Sequence, residues 1–187
     1  DTVILNAAEL CTRSIPDALP ARQAELSEMA EICRFIAHEP PQTFREVLQL
    51  VWMVDMGVSF ADYAWLVNPG HLDRTLYPYY IADLDVGRIN PEQALVLLEC
   101  FYLLLNEYIP DGLAISVMVG GADAAGNDLT NPLSHLCLEA LRRTNLVYPT
   151  VGICWTPATP ASLTALAVDL ISSGYTTPAF FNDQTIR

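Results

Sequence analysis

The sequence predicts an α/β fold in which buried parallel strands alternate with helices, preceded by a helical N-terminal segment. Two patterns indicate this. From residue 90 onward, three helices open with the same pair of a side-chain acceptor and a proline, and short apolar runs of strand length separate them. In addition, 52% of the 187 residues are apolar, which suits one well-packed domain or part of a larger one. Helix–strand alternation of this kind is typical of a parallel sheet or a β/α barrel.

Residues 1–56 form the predicted N-terminal helical segment. The stretch 20–38 carries apolar residues at three- and four-residue steps with acids between them, which is the pattern of an amphipathic helix. Pro40-Pro41 ends this helix. Thr43 and Glu46 then form a capping-box sequence for a second helix that runs to about residue 56.

Residues 57–187 form the predicted partial β/α barrel. Between Gly57 and Pro78 the sequence is irregular and rich in aromatic residues, which predicts a long packed loop or a strand with a turn at Asn68-Pro69-Gly70. The helices that follow are predicted at 91–108, 132–143 and 160–173, opened by Asn90-Pro91, Asn131-Pro132 and Thr159-Pro160. The predicted strands are 113–119, 150–155 and 178–181. Gly174 is predicted to end the last helix as a left-handed cap.

Composition excludes several classes of function. The nine basic residues are all Arg, so Schiff-base and Walker-type chemistry, which need Lys, are excluded. A net charge of −13 opposes nucleic-acid binding. The five cysteines are widely spaced, which indicates buried reduced thiols in a cytoplasmic protein. No segment predicts export or membrane insertion. The chain lacks an initiator Met, and both ends look cut from a longer protein.

In parallel sheets the functional site follows the carboxyl ends of the strands, which here are Gly120-Gly121, Trp155-Thr156 and Asn182-Asp183. The loop from Gly120 to Asp128 joins a strand to a capped helix as a phosphate loop would, but it lacks the glycine spacing, and its acids would repel an anion. A tight structural turn is therefore the favoured interpretation. Cys154 ends a strand, and burial explains it better than nucleophilic chemistry.

Five segments together resemble the pyruvate formate-lyase-like glycyl radical enzymes, and the resemblance covers nearly the whole chain. They are Phe44 to Gln49, Gly70 to Tyr80, Gly87 to Ile89, Gly120 to Ser134, and Pro178 to Asp183. The resemblance implies about half of a ten-stranded β/α barrel. It also implies a reactive Cys on a finger loop and a radical-bearing Gly near the C-terminus of the family's proteins, neither of which is in this chain. Gly174 lacks the expected Arg at position 171 and should not carry the radical.

The resemblance therefore predicts no catalytic residue and no bound cofactor or metal in this chain. The glycyl radical would lie elsewhere in the full-length parent, installed by a radical S-adenosylmethionine activase. The resemblance suggests that this chain contributes pocket-lining residues, and the candidates are Trp65, Leu66, Trp155, Thr177 and Asn182.

Several of these positions depart from the family pattern. Trp65 and Leu66 stand where dehydratase-type members are polar, and Thr177 stands where pyruvate formate-lyase has a carboxylate-binding Arg. The family's Gly-Arg-x-Asp-Gln element is Gly70-His71-Leu72-Asp73-Arg74 here, and Cys154 replaces a frequent Arg. An apolar wall with fewer donors is expected to hold a small carboxylate or polyol poorly.

Three functions remain open. The first is a fragment of a glycyl radical lyase or dehydratase, inert alone, whose partners are the rest of the parent enzyme, its activating enzyme and a small-molecule substrate. The second is a degenerate interaction domain that binds another copy or a separate remainder through an exposed strand edge. The third and weakest is a metal-dependent hydrolase that uses His71, Asp73 and Asp183.

Overall fold

The computed structural model describes residues 2–61, 68–108 and 115–186, and their contacts divide the chain into two units, Asp1–Tyr63 and Ala64–Arg187. The first unit contains three helices: α1 (Thr2–Ser14), α2 (Pro20–Ile36) and α3 (Phe44–Ala61). α1 packs against α2 and α3, and α2 packs against α3. α3 continues past the predicted end at residue 56, and the predicted domain boundary at residue 57 stays a prediction.

The predicted capping box at the start of α3 is present. The Glu46 backbone N–H donates to Thr43 Oγ1 at 3.2 Å, and the Glu46 carboxylate accepts from the Thr43 N–H at 3.1 Å. The two residues therefore satisfy donors that the first turn of a helix would otherwise leave unpaired.

The second unit alternates helices with a parallel four-stranded sheet. Its elements, in chain order, are β1 (Gly70–His71), α4 (Leu72–Asp85), α5 (Pro91–Tyr108), β2 (Ser116–Gly120), α6 (Pro132–Thr144), β3 (Thr150–Trp155), α7 (Ala161–Ser172), β4 (Ala179–Asn182) and α8 (Asp183–Ile186). The strands lie in the order β1-β2-β3-β4, and every neighbouring pair is parallel. The predicted α/β class with a parallel sheet is confirmed.

Strand alternation gives the sheet one helix-covered face. Val117 and Val119 of β2 and Val151 and Ile153 of β3 are buried, and α6 contacts both strands. The opposite face carries Met118 and Phe181, with Gly152 between them: a methyl group on Gly152 would come within 2.8 Å of the Phe181 ring and even closer to the Met118 sulfur. Among the described residues, no helix combines the length and the apolar character needed to cross a bilayer.

The loop or strand predicted over residues 57–78 was wrong at both ends, because α3 continues to Ala61 and α4 runs directly through Pro78; a short strand, β1, does begin at Gly70, and residues 62–67 lie outside the described residues. Leu72, Leu76 and Tyr80 are buried at four-residue spacing, which is the helical signal that the proline obscured. Pro78 lies on the exposed side of the helix, where water can hydrogen-bond the carbonyl that loses its helical donor.

Two of the three predicted cap-plus-proline starts are present. Asn131 accepts from the Leu133 N–H at 2.9 Å, and Asn90 Oδ1 accepts from the Gln93 N–H at 2.9 Å. The third was wrong: Thr159 Oγ1 accepts from the Thr156 N–H at 2.9 Å instead, and Pro160 is the uncapped residue before α7. The Thr159 hydroxyl is therefore engaged in the turn after β3 and does not cap α7.

Gly174 ends α7 as predicted. Its φ is 93°, and the following Tyr175 N–H donates to the Leu170 carbonyl at 3.2 Å. This is the hydrogen bond that a left-handed residue at a helix end makes possible.

Candidate functional site at the carboxyl edge of the sheet

The carboxyl ends of the four parallel strands meet at one edge of the sheet. His71 ends β1, Gly120 ends β2, Trp155 ends β3 and Asn182 ends β4. In an open parallel sheet, side chains that follow these ends converge on a crevice. We call the residues at and directly after these strand ends the carboxyl edge.

Asp73 is the buried anchor of the carboxyl edge. One of its carboxylate oxygens accepts from the Gly120 N–H at 2.7 Å and from Ser134 Oγ at 2.5 Å, and the other accepts from the Arg74 N–H at 2.8 Å. Burial raises the pKa of Asp73, although these hydrogen bonds and the nearby His71 act in the opposite direction. The carboxylate therefore fastens the start of α4 to the end of β2 and to α6.

Arg74 reaches across the end of β2. Its Nε and Nη2 atoms donate to the Gly120 carbonyl at 3.1 and 2.5 Å. None of the ion pairs between described residues includes Arg74. A half-buried guanidinium is thus held in place by a neutral carbonyl.

Gly121 is where the side chains of the carboxyl edge come closest together. Its φ is 87°, and a methyl group there would lie 2.9 Å from Cys154 Cβ and 3.4 Å from Asp183 Oδ2, and it would overlap Arg74 Nη2. Three polar or ionisable side chains from α4, β3 and the end of β4 therefore surround one glycine. Only glycine leaves room for this approach at a positive φ.

The loop after β2 is a tight turn, as predicted. Asp123 Oδ1 accepts from the backbone N–H groups of Ala125 and Asn127 at 2.8 and 2.9 Å, and Ala122 forms an antiparallel bridge with Asp128. The Asn127 side chain and these backbone hydrogen bonds lower the pKa of Asp123. A carboxylate thus occupies the position that a phosphate would need.

A cavity of about 330 Å³ lies beside this turn. The loops after β2 and β3 and Asp183 line it. Asp183 Oδ2 accepts from the Ala122 N–H at 3.1 Å, which ties the end of β4 to the start of the loop after β2. The cavity is large enough for a small organic molecule at the edge where α/β folds bind ligands.

Cys154 and His71 lie next to each other at the carboxyl edge. Cys154 Sγ lies 3.9 Å from His71 Nε2, and Cys154 as a whole residue is 8% exposed. The sequence places the two residues 83 positions apart, so no local pattern predicts this contact.

The structure separates the predicted pocket-lining residues. Trp155 and Asn182 are paired in register at the carboxyl ends of β3 and β4, Trp155 half-buried and Asn182 exposed. Thr177 is buried before the start of β4, at the opposite edge of the sheet, beside a cavity of about 130 Å³ that Leu141 and Tyr175 also line. Trp65 and Leu66 lie outside the described residues.

The metal-hydrolase hypothesis finds no ligand set. In the part of the chain that the structure describes, no three His, Cys, Asp or Glu side chains are gathered to hold an ion. Asp73 directs its oxygens to Gly120, Ser134 and Arg74, and Asp183 directs one to Ala122. These carboxylates thus act as hydrogen-bond acceptors that join the strand ends to their neighbours.

Comparison with known proteins decides the family. The family model described as "Pyruvate formate lyase-like" matches residues 5–187. The chain belongs to the pyruvate formate lyase-like family. It is 30% identical to isethionate sulfite-lyase of Nitratidesulfovibrio vulgaris, covering 96% of this chain and 23% of that protein. It is 33% identical to (2S)-3-sulfopropanediol dehydratase of Klebsiella oxytoca, covering 88% of this chain and 21% of that protein.

Solved structures agree with this membership. A glycyl radical enzyme from Archaeoglobus fulgidus superposes with a TM-score of 0.88 at 33% identity, covering 95% of this chain and 25% of that one. The B12-independent glycerol dehydratase from Clostridium butyricum superposes with a TM-score of 0.89 at 27% identity, covering 98% and 25%. The chain thus spans about a quarter of the length of these relatives, and its fold is part of the family's β/α barrel.

Sequence reasoning missed Arg74 as a site residue. In the sequence Arg74 is only a departure from the family's Gln. Its direction is set by α4, which was not predicted, so no local pattern placed its side chain at the carboxyl edge.

Proposed function

We propose that this chain forms one wall of the substrate pocket in a glycyl radical lyase or dehydratase. The convergence of Arg74, Cys154 and Asp183 around Gly121, beside the carboxyl-edge cavity, carries the proposal. Membership in the pyruvate formate lyase-like family supports it. The radical glycine and the reactive cysteine of the family's chemistry would come from segments outside these 187 residues, so the chain alone would be inactive.

Arg74 would bind an anionic group of the substrate at Gly121, although the carboxylates of Asp123 and Asp183 in the lining of the adjoining cavity act against an anion there. The carbonyl that holds the guanidinium is neutral, so Arg74 can still meet a carboxylate or sulfonate with two parallel hydrogen bonds, in competition with the nearby Asp183 carboxylate. Two relatives bear the names of sulfonates, isethionate and sulfopropanediol. Arg74 would thus supply donors to a wall that the sequence predicts to be apolar.

Trp155 and Asn182 would line the same wall, since their strands end at the carboxyl edge. Trp65 and Leu66 remain candidates for the pocket, whereas Thr177 lies at the other edge and is not part of the wall that we propose. The partners would be the remainder of the parent enzyme and a radical S-adenosylmethionine activase. The five cysteines are free thiols, which supports a reducing cytoplasm.

A chimera tests the proposal. This chain would replace the matching quarter of the isethionate sulfite-lyase of N. vulgaris, and the product would be activated anaerobically. We expect a glycyl radical detected by electron paramagnetic resonance, and release of sulfite. Arg74→Gln should raise KM for the sulfonate by about ten-fold or more, as expected for a lost charged hydrogen bond. Arg13→Gln, on the exposed last turn of α1, is the charge-matched control. A radical-bearing chimera in which both variants behave alike would contradict the proposal.

The interaction-domain hypothesis is supported by β4. Phe180 and Phe181 are each 41% exposed, and β3 is the one strand among the described residues that pairs with β4. An apolar edge strand is a template for another chain. Sedimentation of the chain alone tests this: dimers that Phe181→Ser disperses favour self-association, and a monomer at high concentration rejects it.

A further inference from the structure

The Cys154–His71 pair is a feature that the proposed function does not use. Sγ of Cys154 lies 3.9 Å from Nε2 of His71, within reach of a sulfur hydrogen bond. A nucleophilic cysteine is commonly activated by a neighbouring base, often at a longer distance when no ligand is bound. The two side chains come from β3 and β1, so the folded sheet creates the pair.

Charged groups of both signs surround the Cys154 thiol. His71 faces the thiol from the end of β1, and both the Arg74 guanidinium and Cys154 Cβ lie close to the position that a methyl group on Gly121 would occupy. On the negative side, Asp183 also flanks Gly121, although one of its oxygens accepts from the Ala122 N–H, and Asp73 interacts electrostatically with His71. A nearby carboxylate favours the protonated imidazole, and cations beside a sulfur favour the thiolate, which is the nucleophile.

Three other cysteines serve as references for Cys154, and the fourth, Cys11, is half-buried on α1. Burial raises the pKa of Cys33 to about 11 and also raises the pKa of Cys137. Cys100 is exposed on α5. The chain therefore contains two buried reference thiols and an exposed one for comparison with Cys154.

We propose that Cys154 is a nucleophilic thiol that forms covalent adducts with small carbon electrophiles at the carboxyl edge, with His71 accepting its proton. In the reaction with an alkyl halide, the thiol proton moves to His71 Nε2, the sulfur lone pair forms the S–C bond, and the carbon–halogen bond breaks with release of halide. The proton then passes to solvent. No oxidant or reductant is needed, and the step is independent of radical chemistry.

Competitive alkylation of the full 187-residue chain tests this proposal. The chain is treated with a limiting amount of iodoacetamide, cleaved after arginine and quantified by mass spectrometry. Cleavage after Arg143 leaves Cys154 as the sole cysteine of the peptide 144–187. At about pH 6.5, in the ordinary titration range of histidine, we expect Cys154 to react about ten times faster than Cys100 despite its lower exposure, while Cys33 and Cys137 stay unlabelled.

The pH profile and one variant separate this mechanism from simple accessibility. The Cys154 rate should persist about one to two pH units below the point where the Cys100 rate declines, because its thiolate is stabilised. His71→Gln should lower the Cys154 rate by about ten-fold and leave the Cys100 rate unchanged. Labelling of Cys33 and Cys137 in the variant would reveal unfolding, in which case the wild-type profile decides. Parallel pH profiles for Cys154 and Cys100, or a folded His71→Gln variant with unchanged Cys154 labelling, would overturn the proposal.

Discussion

Replacing Asp73 with Ala should loosen the carboxyl edge and destabilise the chain. The substitution removes the acceptor of two buried donors, the Gly120 N–H and Ser134 Oγ. Each buried donor left without its partner costs about 1–3 kcal/mol, so the expected loss in the free energy of unfolding is about 4 kcal/mol. The substitution also removes the free-energy cost of burying the carboxylate, which is why burial raises the pKa of Asp73, and this reduces the loss somewhat.

Urea unfolding followed by circular dichroism and tryptophan fluorescence measures the global effect. Hydrogen exchange at the Gly120 amide measures the local one, since that N–H donates to Asp73 at 2.7 Å. Asp85→Ala is the matched control, because Asp85 lies on the same helix and is exposed. Its effect should stay within about 0.5 kcal/mol.

The partner of Asp73 provides a second check. Ser134→Ala removes one of the two buried donors, so the combined variant should be less destabilised than the sum of the single variants by about 1–2 kcal/mol. The reasoning is refuted if Asp73→Ala costs no more than Asp85→Ala and the Gly120 amide keeps its protection from exchange.

Three further predictions follow from single contacts. Gly121→Ala should destabilise the chain by about 2 kcal/mol or more beyond Gly126→Ala, because both glycines have a positive φ but only at Gly121 would the methyl meet other atoms within 4 Å; equal melting temperatures would contradict this. Burial raises the pKa of Asp55 from 3.8 to about 7, so the unfolding free energy should fall as pH rises from about 4 to about 7 and then level off. Asp55→Asn should recover at most about 4 kcal/mol at pH 8 and nothing near pH 4. Asn131→Ala removes the cap of α6 and should cost about 1 kcal/mol in urea unfolding, with no loss indicating that water replaces the cap.

The parallel strands were predictable because their burial is encoded locally. β3 coincides with the predicted 150–155, and a run of β-branched and apolar residues between turn signals defines it without help from the rest of the fold. The caps at Asn90 and Asn131 were predictable for the same reason, since acceptor and donor lie within one turn. At Thr159 the local signal failed, because a competing turn partner lies equally close in the sequence.

The candidate site was predictable only as a location. The strand ends at Gly120 and Trp155 identified the carboxyl edge, because parallel strands must end together. The contacts there were not predictable: the Cys154–His71 distance and the position of Arg74 depend on the register of β1 against β2 and on a helix that tolerates Pro78. These are properties of the folded sheet that no local pattern records.

A crystal structure of the assembled radical enzyme that contains this chain, with its substrate bound, tests the central claim most directly. We expect the anionic group of the substrate within hydrogen-bonding distance of the Arg74 guanidinium and in contact with the Gly121 backbone. A substrate bound instead at the opposite edge of the sheet, beside Thr177 and remote from Arg74, would contradict the account.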